Sequence, residues 1–154
     1  MLSRRGFVTG LVGLLLVGRR LGWAAAGRPS PTRITVYKSR SCGCCAKWVE
    51  HLRTEGFAPL VHDEESMDRL KDKLGVPQPM RSCHTAMVSG FLIEGHVPAA
   101  DIRQLLARRP KGAGLAVPGM PSGTPGMADS ESTAGDFDVL LFGSDGSAKV
   151  FARH

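Results

Sequence analysis

The sequence predicts an α/β sandwich of order βαβαββα, followed by a long loop rich in Gly, Pro and Met and a C-terminal β-hairpin. Three observations predict it: short runs that alternate apolar and polar residues, intervening stretches with apolar residues at helical spacing, and Gly or Pro at most of the boundaries between them. The 154 residues, 42% of them hydrophobic and 22% charged, suffice for one core and hardly for two.

Arg33 to Lys38 places Ile34 and Val36 on one face and Thr35 and Tyr37 on the other, which is the pattern of a half-buried strand. The next apolar residues, Cys45, Trp48, Val49 and Leu52, fall at i, i+3, i+4 and i+7 and make one helical stripe that Gly56 stops. Phe57 to His62 reads as a second strand. Ser66 then caps a short helix expected to turn Met67, Leu70 and Leu74 inward, closed by Gly75 and Pro77. Thr85 to Val88 and Phe91 to Glu94 flank Ser89-Gly90 as a tight hairpin. Ala99 to Arg108 forms a helix with Ile102, Leu105 and Leu106 inward, stopped by Pro110.

From Pro110 to Gly135 ten of 26 residues are Gly or Pro, and Pro118-Gly119-Met120 recurs as Pro125-Gly126-Met127, so this stretch is expected to be a flexible loop rather than a second domain. Phe137 to Phe142 and Ser147 to Ala152, joined by Gly143-Ser144-Asp145-Gly146, form the terminal hairpin, expected at a sheet edge. The order of elements is similar to the thioredoxin-like fold. That resemblance implies a first strand parallel to the second and antiparallel to the third, and it would bring Cys42 to Cys45, His62, Cys83-His84 and His96 to one edge.

The first 26 residues read as an export signal. Ser3-Arg4-Arg5-Gly6-Phe7-Val8 matches the twin-arginine pattern, an apolar run follows from Phe7 to Val17, and Ala24-Ala25-Ala26 is a small-residue cleavage site. The run is about half of the roughly 20 residues needed to span a bilayer, and Arg19-Arg20 interrupts it, so no membrane span is expected after signal removal. Residues 27–32 form a linker, and 33–154 a single domain that includes the loop at 110–135. Export would place the protein in the periplasm. The net charge of +6 falls to +2 once the four arginines of the signal are set aside, and no basic stripe interleaves with aromatics, so nucleic acid is not an expected partner.

The reactive chemistry is concentrated in four thiols, three of them in Cys42-Gly43-Cys44-Cys45 and the fourth beside an imidazole at Cys83-His84. Cys42 and Cys45 have C-x-x-C spacing at a strand-to-helix junction, where a helix N-terminus favours the thiolate that both nucleophilic attack and metal ligation require. A plain disulfide staple is the structural alternative. Adjacent Cys44 and Cys45 argue against it, because neighbouring cysteines rarely pair and a staple usually reaches a distant loop. Thiolates with imidazole suit Cu(I) or Zn(II). Three Cys and one His would also close a tetrahedral zinc site, so zinc stays as the alternative ion. Thioether is a good ligand for Cu(I) and a weak one for zinc, which points Met120 and Met127 toward copper.

The expected metal ligands are therefore Cys42, Cys44, Cys45, Cys83 and His84, with His96, Met120, Met127 and His62 as outer or transfer candidates. Met67, Met80 and Met87 read as packing, His51 and His154 as bystanders. No Ser-His-Asp pattern, phosphate-cradling glycine loop or pair of catalytic carboxylates stands out, so no catalytic residue is assigned. In thioredoxin-like oxidoreductases a cis-proline opens the third strand beside the dithiol; here His84 holds that position. An oxidoreductase using Cys42 as nucleophile and Cys45 as resolving thiol, and an interaction module built on structural zinc, remain open alternatives.

Tyr37-Lys38, Cys42-Gly43-Cys44-Cys45, Lys47-Trp48-Val49, Ser82-Cys83-His84-Thr85, Glu94-Gly95-His96-Val97-Pro98 and Gly114-Leu115-Ala116-Val117-Pro118-Gly119-Met120 together resemble a bacterial family of small exported metal-binding proteins. That family was long catalogued as a domain of unknown function and is associated with copper resistance. The resemblance runs from about Ile34 to Arg153 and implies copper binding in the periplasm. The residues and the resemblance together are read as a periplasmic Cu(I)-binding protein that sequesters copper or hands it on, for which a periplasmic copper donor or acceptor protein is the expected partner. Ala46 stands where many relatives would have glycine.

Overall fold

A computed structural model describes residues 30–127 and 136–154. The expected export signal at 1–26 and the end of the expected loop, 128–135, lie outside the described residues. The elements are β1 (Thr32–Lys38), α1 (Gly43–Thr54), β2 (Phe57–Asp63), α2 (Met67–Leu74), a 3-10 turn (Gln78–Met80), β3 (His84–Val88), β4 (Phe91–Glu94), α3 (Ala99–Arg108), β5 (Gly114–Ala116), β6 (Asp138–Phe142) and β7 (Ala148–Arg153). They build a mixed seven-stranded sheet in the order β2-β1-β3-β4-β5-β6-β7. Among the described residues no helix is long and apolar enough to cross a membrane.

Strand β1 runs parallel to β2 and antiparallel to β3, and β3 pairs antiparallel with β4. The β3–β4 hairpin turns through Ser89 and Gly90, both at positive φ, as a two-residue loop that follows strand twist requires. Trp48, Val49 and Leu52 of α1 and Ile102 and Leu105 of α3 share one apolar cluster with Ile34, Ala86 and Ile93. Side chains alternate along a strand, so Leu115 joins this cluster while its neighbour Ala116 joins a second one, with Val76, Met80 and Phe142. Helices thus lie on both sides of the sheet.

Packing, rather than capping, fixes the start of α1. Cys42 occupies the N-cap with no side-chain capping hydrogen bond, forgoing about 1 kcal/mol. Each wholly buried apolar side chain of the stripe contributes about 1.5–3 kcal/mol, so Trp48, Val49 and Leu52 together outweigh that loss.

Two expectations fail here. Residues 110–135 are not one loop: Gly114–Ala116 is a strand, parallel to β4 and antiparallel to β6, so β5 joins the terminal hairpin to the sheet. Three residues show no periodicity, and the partner β6 lies more than 20 residues along the chain. In α2, capped by Ser66 as expected, the buried residue is Lys71. Met67, Leu70 and Leu74 are only half-buried. Lys71 is 2% exposed because its ammonium pairs with Glu94 of β4 and donates to Thr85 Oγ1 of β3 at 2.9 Å. Helical periodicity cannot reveal a cation whose counterion lies on another strand.

Candidate metal centre

Strand register brings the candidate ligands together. Lys38 pairs with His84, which sets the start of β3 beside the end of β1, and Thr85 pairs with Glu94, which sets the end of β4 on the other side. Cys42 to Cys45, Cys83-His84 and His96 therefore meet at one edge of the sheet. Two groups of donor atoms result, Cys42, Cys44, Cys45 and Cys83 in one and Cys83, His84 and His96 in the other, each with all its atoms within 4.8 Å of one another. Cys83 is common to both.

The Cys83 Sγ lies 3.2 Å from His84 Nδ1 and 3.2 Å from His96 Nε2. Both imidazoles are wholly buried, their rings 5.0 Å apart, with the Trp48 ring 4.3 Å from His84. His96 Nδ1 donates to the Pro125 carbonyl at 2.7 Å. A carbonyl only accepts, so the other nitrogen is left with a free lone pair directed at Cys83, as in a ligating histidine held by a backbone carbonyl. His84 Nε2 is buried with no hydrogen-bond partner. Such an orphan in a donor cluster fits a ring kept for another role than hydrogen bonding.

Electrostatics favour neutral ligands in the metal-free state. Burial, then the His96 and Lys71 charges, holds His84 well below the ordinary imidazole range, and burial lowers His96 as well. The Cys83 thiol is pushed up to about 11 by burial and then by the charge of Cys44. A soft cation would supply the missing positive charge and displace that proton, so binding releases a proton.

Cys42 and Cys45 are joined in a disulfide, which corrects the argument against pairing. The bond closes within the C-x-x-C unit itself, where one helical turn leaves the Cα atoms 5.4 Å apart, within ordinary disulfide reach. Cys44 and Cys83 are free, with Cys44 Sγ 3.5 Å from Cys42 Sγ. In this redox state Cys44, Cys83, His84 and His96 offer donors; reduction would add two thiolates.

The remaining candidates divide. The loop after β5 folds over the site: Ser82 Oγ donates to the Gly119 carbonyl, and Gly126, at φ +88°, approaches α1 so closely that a Cβ would lie 2.7 Å from Trp48 N. Met120, 55% exposed, and half-buried Met127 directly follow these two glycines, so their backbone stands at the margin of the site. His62 is not brought to the cluster. It stacks on Tyr37 at 5.4 Å on the outer strand β2, with β1 between it and β3. His51, expected to be a bystander, accepts the Ala99 N–H at 3.2 Å and so caps α3, whose N-cap is Pro98. His154 pairs with Asp101 at 2.7 Å, far along the chain from the thiols.

Sequence reasoning missed the roles of Trp48, Glu94 and Lys71 at the site. Trp48 Nε1 donates to the Val97 carbonyl at 2.9 Å and ties the His96 turn to α1. Glu94 accepts from Ser82 N–H at 2.7 Å and from Thr85 Oγ1 at 2.6 Å while paired with Lys71. A strand-terminal Glu opposite Thr gives no signal by itself.

Fold and site define a small α/β protein with a sulfur and imidazole cluster able to hold a metal ion. The family model described as "Protein of unknown function, DUF411" matches residues 80–127, the stretch that carries Cys83, His84 and His96. Two solved structures, copper resistance protein copG form 1 and form 2, are similar at 43% and 42% identity with TM-scores of 0.75 and 0.74; each alignment covers 80% of this chain and 98% of the other. No curated protein matches the sequence. The chain belongs to this formerly uncharacterised family, which is associated with copper resistance.

With its thiol pushed up to about 11, Cys83 of the metal-free protein is expected to be alkylated slowly, its rate rising about tenfold per pH unit between pH 8 and 10. Peptide-resolved mass spectrometry checks this; a rate already level at pH 8 would contradict it.

Proposed function

We propose that the protein binds Cu(I) in the periplasm and sequesters it or passes it to another protein. The observation that carries this reading is the Cys83 sulfur set between two buried imidazoles, with three further sulfurs alongside, in a relative of copper resistance proteins. The ligands are Cys83, His84 and His96, then Cys44, with Cys42 and Cys45 joining when reduced. Thiolate and neutral imidazole suit a soft or borderline ion, and copper rather than zinc agrees with the relatives. Met120 and Met127 serve as transfer ligands at the margin, where an exposed thioether tolerates an oxidising compartment that couples free thiols. We read the β1 to α3 part of the chain as thioredoxin-like, in line with the pairings of β1.

The Cys42–Cys45 bond favours a second reading, a thiol-disulfide oxidoreductase. Against it, His84 stands where such enzymes hold the proline that docks substrate.

Anaerobic titration of the reduced protein against a chromophoric Cu(I) chelator tests the first reading. Binding is expected, and Cys83→Ser, His84→Ala and His96→Ala are each expected to weaken it more than about tenfold. Unchanged affinity in all three, or insulin reduction above background with no copper bound, would reject it. For export, Arg4→Lys/Arg5→Lys is expected to hold the protein in the cytoplasm; normal processed protein in the periplasm would exclude the twin-arginine route.

A further inference from the structure

Among the described residues, the Lys71–Glu94 pair lies beside the site and is not explained by metal ligation. Both side chains are nearly or wholly buried, at 2% and 0% exposure. Removing two opposite charges from water is costly, and a well-packed apolar pair often serves a core as well or better. Stability therefore gives no reason for ions here. The hydrogen bonds do give one. The Glu94 carboxylate accepts from the Ser82 N–H at 2.7 Å and from the Thr85 hydroxyl at 2.6 Å, the residues on either side of Cys83-His84. Lys71 donates to Thr85 Oγ1 at 2.9 Å and holds the carboxylate. Glu94 is also two residues ahead of His96, on the strand end that carries that ring.

We infer that Glu94, held by Lys71, is a positioning residue: by gripping both flanks of Cys83-His84 from the strand that leads to His96, it sets the Cys83 sulfur between the two imidazole nitrogens. Among the described residues neither side chain is hydrogen-bonded to a ligand atom; Glu94 acts through the backbone of Ser82 and the side chain of Thr85, while the Lys71 charge also reaches His84. This inference rests on the copper-binding reading for its affinity test but not for its geometric one.

The test compares two double variants of the full chain, both of which remove the buried charges. Lys71→Met/Glu94→Leu leaves no acceptor for Ser82 N–H; Lys71→Met/Glu94→Gln keeps one. The Leu variant is expected to stay folded by circular dichroism and to bind Cu(I) about 10–100-fold more weakly, and the Gln variant to regain affinity to within about threefold of the parent. In the metal-free protein, the ring nitrogen resonances of His84 and His96 are expected to depart further from the parent in the Leu variant than in the Gln variant, because both lose the Lys71 charge and only the Leu variant also loses the acceptor for Ser82 N–H. A folded Leu variant with parental affinity and resonances would overturn the inference, as would equal losses in both variants. If the parent binds no copper, the proposed function fails while the resonances still decide the positioning claim. Thr85→Val, which removes one hydroxyl and leaves the ion pair, covers the case in which the Leu variant does not fold. It is expected to shift the same resonances, and unchanged spectra would again overturn the inference.

Discussion

The contact of one sulfur with two imidazoles depends on the register of β3 between its two neighbours. A slip of one residue on either side would turn Cys83 or His84 to the opposite face of the sheet. Lys38 opposite His84 and Thr85 opposite Glu94 hold that register, and the buried stripe of α1 holds the cysteine triplet against it. The site is thus built from three strand ends and a helix start, all anchored by the core. Only its cover comes from a loop, through the Pro125 carbonyl on His96 and the approach of Gly126 to α1.

The disulfide adds a redox dimension to the donor set. With Cys42 and Cys45 joined, two thiols and two imidazoles remain; with the bond open, four thiols crowd one edge of the sheet. Metal capacity and thiol oxidation state are then linked, because a sulfur in a disulfide cannot serve as a thiolate ligand. In a compartment that oxidises thiols, a bound soft ion would protect the cysteines it occupies, and an oxidised protein would hold less of it.

The sequence was most legible where a single element carries its own signal. The α1 stripe of Cys45, Trp48, Val49 and Leu52 is buried as its spacing demands, the Ser89-Gly90 turn lies where its residue types put it, and α3 spans Ala99 to Arg108 as expected. Convergence of Cys83 and His84 on the triplet was implied by the resemblance of the element order to the thioredoxin-like fold, which wrongly included His62. What escaped were relations between distant elements. Strand β5 is defined only by its partners, the burial of Lys71 only by Glu94, and the capping role of His51 only by the start of α3. His96 illustrates both sides: its place after β4 was readable, whereas the carbonyl that fixes its tautomer belongs to a loop residue 29 positions away.

X-ray absorption at the copper edge of the reduced, Cu(I)-loaded protein tests the mixed sulfur and imidazole site most directly. The expected spectrum shows sulfur neighbours together with the outer-shell scattering of histidine rings, and the ring scattering falls in a His84→Ala/His96→Ala variant that still carries its thiols. A spectrum with sulfur alone, unchanged by loss of both rings, would contradict the central role given to the Cys83, His84 and His96 cluster.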